Sequence, residues 1–257
     1  MYREKFDLTG STAFLTGAGR GIGLAGAEAL AEHGARLVIS DHDPAVLEHG
    51  RAALAAKGYA AEAYLLDVTR SADVTRIADE VNAKHGNVDI LVANAGLAWP
   101  DTPGEDMSDE IWLKVIDVNL NGVYWCCRAF GKHMLARGRG AVVTLGSMSG
   151  IISNKPQRQA QYNASKAAVH HLSRSLGGEW AARGVRVNSI APTYVDTAMS
   201  RGGFTNPALF PTWMEFTPMN RVATADEIAA IILFLASPAS SVMTGAVVVA
   251  DAGYTIW

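Results

Sequence analysis

Tyr162 and Lys166 stand four positions apart in the segment YNASK, and together they can move a proton. If Tyr162 opens a helix, that spacing sets both side chains on one face, with the ammonium close enough to act on the phenol. A free tyrosine has a pKa of about 10 and is a poor base at neutral pH; a fixed positive charge beside it stabilises the phenolate and draws that value toward the working pH. The same two residues also describe a packed ring beside a solvated amine. The pair gains weight only from what surrounds it.

A second constellation lies upstream. TGAGRGIG, Thr16 to Gly23, follows an apolar run and opens a helical one, where missing side chains let backbone N–H groups and a helix N-terminus approach a pyrophosphate. The candidates there are Gly17, Arg20, Gly21, Ile22 and Gly23. The glycines are spaced four and two apart, unlike the standard dinucleotide fingerprint, and tight turns use glycine for conformational reasons alone. Asp41 adds support, because it ends the next apolar run about 20 residues on, where a carboxylate binds ribose hydroxyls and repels a 2′-phosphate. It favours NAD over NADP. Arg20 pulls the other way, since a cation in this loop could receive that phosphate.

The elements that must position these groups are legible as an alternation. Short apolar or β-branched runs (TAFLTG, ARLVISD, AEAYLLDV, VDILVANAG, GAVVTLGS, VRVNSIAP and GAVVVADAG) are separated by stretches of helical periodicity. The helical stretches are Ile22 to His33, Pro44 to Lys57, Ser71 to His85, Ser108 to Arg137, Gln161 to Arg183 and Ala225 to Ala236. Strands alternating with helices require crossover connections, so the expected fold is α/β: one domain over residues 1–257, with a doubly wound parallel sheet flanked by helices on both faces. From about residue 198 to 221 periodicity fails, yet Phe204, Phe210, Trp213 and Phe216 fall there, so this segment reads as a substrate loop that buries aromatics.

Composition narrows the partners. With 49% apolar residues the chain can bury a large core, and a formal net charge of −3 leaves no basic excess for nucleic acid or an anionic membrane. The charged N-terminus and the absence of a long apolar run predict a soluble, cytoplasmic protein. The two cysteines, Cys126 and Cys127, are adjacent in a helical segment and suit packing better than a disulfide, and no His/Cys cluster suggests a metal.

Taken together, TGAGRGIG, Asp67-Val68, ANAG at 93–96, Asn119 in VNLNG, Ser147 in LGSMSG, YNASK and VRVNSIAP leading to Tyr194-Val195-Asp196-Thr197 resemble the short-chain dehydrogenase/reductase family. The resemblance spans essentially the whole chain and implies a Rossmann fold. It implies that Asp67 and Val68 hold the adenine, that Asn94, Ala95 and Gly96 line the cofactor floor, and that Val195 and Thr197 hold the nicotinamide carboxamide. Asn119, Ser147, Tyr162 and Lys166 match the family's catalytic tetrad, with Tyr162 as base, Lys166 lowering its pKa and binding ribose, Ser147 on the substrate oxygen and Asn119 placing a relay water. Two positions depart from the pattern: Thr193 and Ala252 stand where the family usually has glycine, which touches loop geometry more than chemistry. A homotetramer joined through the helices of Cys126 and Tyr162 and the C-terminal segment is also implied, with the apolar tail Tyr254 to Trp257 docking on a neighbouring subunit.

The loop between Ser147 and Tyr162 is rich in amides and hydroxyls, among them Ser149, Asn154 and Gln157 as candidate substrate contacts. Solvated loop residues would look the same. GSMSG, the following PQ, NPALFPTWMEFTPMNR and the terminal GYTIW are similar to bacterial sugar-alcohol dehydrogenases of the galactitol and sorbitol type, which implies NAD-dependent oxidation of a polyol to a ketose. The alternatives are an NADPH-dependent 3-oxoacyl or small-ketone reductase, which Arg20 would suit, and a non-catalytic dinucleotide-binding protein on the same fold. His170 and His171 read as packing or subunit-contact residues.

Overall fold

Every apolar run read as a strand becomes one in the computed structural model, which describes residues 1–257. The strands are β1 (Thr12–Thr16), β2 (Arg36–Asp41), β3 (Ala61–Leu65), β4 (Ile90–Ala93), β5 (Gly140–Leu145), β6 (Val185–Pro192) and β7 (Val247–Ala250). They form a single seven-stranded parallel sheet in the order β3-β2-β1-β4-β5-β6-β7. The chain leaves β1 outward to β3, then returns to place β4 on the other side of β1. That reversal opens a crevice beyond the carboxyl ends of β1 and β4, the place where open α/β sheets bind ligands.

The consecutive apolar residues are explained by two cores. Side chains alternate across a strand, so Leu15, Ile39 and Val92 enter one core while Phe14, Val38 and Leu91 enter the other. The first core lies under α1 (Gly21–Glu32), α2 (Pro44–Ala56) and α9 (Ala225–Ala236), and the second under α3 (Ser71–His85), α5 (Gly122–Arg137) and α6 (Ala160–Trp180). Local sequence sets the ends: Asp43 caps α2 ahead of Pro44, Thr224 and Glu227 form a capping box on α9, and α3 stops at Gly86 with φ of 75°. No helix is long and apolar enough to cross a membrane.

Two segments differ from the sequence reading. The stretch Ser108 to Arg137 is not one α-helix: α4 (Asp109–Ile116) and α5 are separated by a π turn, Asp117–Asn121. An i→i+5 turn inserts one residue into the helical run, and Asn119 within it is completely buried. The segment 198–221 is not irregular throughout, since it carries short helices α7 (Arg201–Phe204) and α8 (Phe210–Glu215). Its aromatics are packed, with Trp213 buried beneath Gly203.

Candidate active site

The glycine loop is stitched to the end of β4 across the crevice. Thr16 Oγ1 accepts from the N–H groups of Asn94 and Ala95, both at 3.0 Å, and the Asn94 amide donates to the carbonyls of Thr16 and Gly17 at 2.9 Å. Gly17 and Gly21 take φ of +60° and +56°, where a side chain would strain the turn. A Cβ on Gly23 would lie 2.9 Å from Ala18 Cα and overlap the Gly17 carbonyl, so this glycine is what lets α1 start against the loop. The result is a shelf of bare backbone above a helix N-terminus, with Arg20 exposed at its N-cap.

Asp41 borders that shelf. Its carboxylate is nearly buried and accepts from the N–H groups of Gly19 (3.4 Å) and Asp43 (3.2 Å), with His42 Nδ1 at 3.2 Å. One strand further out, the Asp67 carboxylate is held by Thr69, and Val68 packs where a Cβ on Gly122 would come within 2.6 Å of it. Ile22, Asn94, Gly96, Val195 and Thr197 line a cavity of about 310 Å³, and the Thr197 methyl lies 3.3 Å from where Gly21 would carry a Cβ. The shelf, the buried carboxylate and the apolar strand end fit an adenine dinucleotide.

Ser147, Tyr162 and Lys166 line the same cavity. Ser147 follows β5, while Tyr162 and Lys166 lie one turn apart on α6, as the spacing predicts. Asn119 is adjacent. Its Oδ1 accepts from Leu97 N–H (2.8 Å), and its amide donates to Leu97 O (2.9 Å) and Ser165 Oγ (3.1 Å). Ser165 in turn donates to the Tyr162 carbonyl (2.8 Å), so the π turn is tied to the first turn of α6. Both Asn119 Oδ1 and Lys166 Nζ lie about one van der Waals contact from the missing Gly96 side chain, at 3.3 and 3.4 Å.

Burial governs the electrostatics of the Tyr162–Lys166 pair. Lys166 is 4% exposed, and burial draws its pKa down to about 8. Its Nζ donates to the Leu145 carbonyl (2.8 Å) and stands 5.6 Å from the centre of the Tyr162 ring. Burial pushes the Tyr162 phenol up; this desolvation is the larger influence on it, and the Ser147 hydroxyl acts against it.

The substrate-side residues divide. Ser149, Gln157 and Gln159 line the cavity, together with Trp213 of the substrate loop and with Trp99 and Tyr194, to which sequence reasoning gave no substrate role. Asn154 stands behind the wall: its amide donates to Tyr194 Oη (3.1 Å) and its Oδ1 accepts from Gln159 (3.0 Å). Gln157 also donates to Tyr194 Oη (3.0 Å) and accepts from Trp213 Nε1 (2.9 Å), and the Tyr194 and Trp213 rings stack at 3.8 Å. The C-terminal expectation is corrected in part, since Tyr254 is buried within its own chain edge-on to Tyr194. Only Ile256 and Trp257 project, at 66% and 84% exposure.

Comparison with known proteins agrees with this geometry. A family model of the short-chain dehydrogenase type, described as "Enoyl-(Acyl carrier protein) reductase", matches residues 17–255. The chain is 50% identical over 256 residues to a galactitol 2-dehydrogenase of Rhizobium johnstonii, covering 100% of this chain and 99% of the relative. It is 48% identical, with the same coverage, to an L-tagatose-forming galactitol 2-dehydrogenase of Cereibacter sphaeroides. The crystal structure of gox2181 superposes with a TM-score of 0.98 at 47% identity, covering 100% of both chains.

Proposed function

Because this chain belongs to the short-chain dehydrogenase/reductase family, we propose that it is an NAD-dependent dehydrogenase that reversibly oxidises a secondary alcohol of a hexitol, galactitol or sorbitol, to the ketose. The observation that carries the reading is one cavity holding Ser147, Tyr162 and Lys166 together with the amides of Gln157 and Gln159 and the Ser149 hydroxyl. A polyol has a hydroxyl on every carbon, and the free valences of these side chains offer its hydroxyls fixed donors and acceptors.

The dinucleotide, when bound, accepts or returns the hydride at the carbinol carbon. The protein's share is protonic. Ser147 Oγ donates to the substrate oxygen and steadies the charge that develops there. The Tyr162 phenolate takes the hydroxyl proton in oxidation, and the phenol returns it in reduction. Lys166 stands one turn behind and would bind the ribose, and Asn119, which holds the Leu97 main chain, would position a relay water. Asp41 favours NAD, because a 2′-phosphate beside a nearly buried carboxylate would face like charge. We also propose a cytoplasmic homotetramer, associating through α5, α6 and the exposed tail residues Ile256 and Trp257.

Absorbance of the reduced nicotinamide tests this, with NAD or NADP offered alongside galactitol, sorbitol, xylitol and simple secondary alcohols. Turnover with NAD and a hexitol is expected, and Tyr162→Phe should lower it by about 10²–10⁴-fold. Activity confined to NADP, or to apolar alcohols, would refute the cofactor or the polyol assignment respectively.

A further inference from the structure

We propose that His170 is a positioning residue that fixes the main chain of Ser147, and so the hydroxyl that meets the substrate oxygen. The proposal rests on the role given above to Ser147.

His170 lies two turns beyond Tyr162 and one beyond Lys166, on the same face of α6. It is 7% exposed. Its Nε2 is 2.8 Å from the Ser147 carbonyl, and its Nδ1 is 2.9 Å from Ser189 Oγ on β6. The Ser147 N–H also faces Nε2, but at 3.5 Å it is much the longer contact; a carbonyl at 2.8 Å only accepts, so Nε2 carries the proton and the bare Nδ1 accepts from the serine hydroxyl. Lys166 does the same one turn earlier, donating to the Leu145 carbonyl. The two residues therefore grip alternate carbonyls, 145 and 147, of the chain leaving β5.

Sterics close the grip. A Cβ on Gly146 would overlap the His170 ring, 2.6 Å from its Nδ1, and a Cβ on Gly150 would lie 2.7 Å from its Cδ2. The imidazole fills the side-chain space of two glycines that bracket Ser147. Its charge state suits this role, because burial lowers the His170 pKa, the Ser147 carbonyl opposes this, and Lys166 and Arg174 lower it further. The ring stays neutral, with one tautomer set by two fixed partners. Packing alone would be served by any ring of this size, and what a phenyl or isobutyl group lacks is the Nε2 donor.

The test compares His170→Leu, which keeps bulk and loses the donor, with His170→Gln, whose amide N–H reaches the Nε2 position. With a hexitol, or with whichever alcohol the wild type oxidises, His170→Leu should lower kcat by about 10-fold to 100-fold, as expected for a misplaced catalytic group. His170→Gln should recover to within about threefold of the wild-type rate, and NADH affinity by fluorescence should be unchanged in both. Gly146→Ala should also lower kcat, because its Cβ would displace the ring. A His170→Leu rate within about twofold of wild type would overturn the proposal. A wild type inactive on polyols but active on another alcohol sinks the polyol reading alone. A substrate-free readout stands beside these: nitrogen-15 NMR of the His170 ring at pH 7.5 should show a proton on Nε2 and none on Nδ1. A proton on Nδ1 would refute the assignment whatever the substrate.

Discussion

Lys166 should destabilise the fold that needs it. The ammonium is 4% exposed and its pKa falls from the ordinary 10.5 to about 8 because burial penalises its charge. At 1.36 kcal/mol per factor of ten, holding it protonated at neutral pH costs about 3 kcal/mol relative to an unfolded chain. Lys166→Met has similar length and no charge, so it removes that cost. Against this, the Leu145 carbonyl loses its partner, a penalty of about 1–2 kcal/mol. The balance favours the variant by about 1–2 kcal/mol at pH 7.5, which for a chain of this size is a rise in Tm of about 3–6 °C.

The pH dependence supplies a sharper check. Between pH 8 and 10.5 the unfolded chain binds a proton that folded Lys166 has released, so wild-type stability gained from this group rises with pH across that window. Other groups titrate there too, but they are common to both proteins and cancel in the difference. From pH 7.5 to pH 10 the advantage of Lys166→Met should shrink by about 2 kcal/mol and vanish or change sign. Urea unfolding of both proteins at the two pH values, without cofactor, measures this, and activity of the variant should be lost throughout. A variant less stable than wild type at pH 7.5, or a difference that ignores pH, would refute the reasoning.

Other consequences can be checked in parallel. Asp41→Ser removes the carboxylate beside Gly19, and the ratio of kcat/KM for NADP to that for NAD should rise about 100-fold, since like charges about 4 Å apart repel by several kcal/mol at a protein surface. Gly23→Ala drives a Cβ into backbone and should cost about 1–3 kcal/mol and weaken NADH binding, whereas Gly178→Ala, with open space around it on α6, should stabilise by about 0.4–1 kcal/mol; thermal melts distinguish the two. Arg186 donates to the carbonyls of Leu235, Ser237 and Ser240 and to Ser240 Oγ, tying β6 to the end of α9, so Arg186→Met should lower stability by about 3 kcal/mol in urea titrations while leaving KM unchanged.

The strands and most helices are legible in the sequence because burial on both faces forces consecutive apolar residues, and helices on both sides force a 3.6-residue period. The π turn is not, because a single added residue changes one hydrogen-bond ring and carries no compositional signal of its own in a run that remains helical on both sides. The motif residues around Tyr162 can be read because their chemistry is tied to fixed positions in sequence. The role of His170 cannot: its spacing from Lys166 is visible, but its partners Ser147 and Ser189 reach it from β5 and β6 through the tertiary fold. The direction of the Tyr162 pKa escapes the sequence for a similar reason. Helical spacing brings the lysine near, whereas the degree of desolvation depends on everything packed around it.

The amides between Ser147 and Tyr162 show how a count of polar residues overstates what a substrate can use. Asn154 gives one N–H to Tyr194 and its oxygen to Gln159, and Gln159 shares its amide among Ser149, Asn154 and Asn163. Gln157 gives one N–H to Tyr194 and one lone pair to Trp213. A primary amide has two donors and two lone pairs, so Gln157 keeps one of each, and Gln159 keeps its oxygen. Asn154 therefore acts through Tyr194, while the pocket-lining donors and acceptors left for substrate hydroxyls are few and fixed in direction by the stacked Tyr194 and Trp213 rings. A small set of oriented valences discriminates among hydroxyl configurations better than a larger mobile one, because a polyol with the wrong configuration leaves buried groups unpaired.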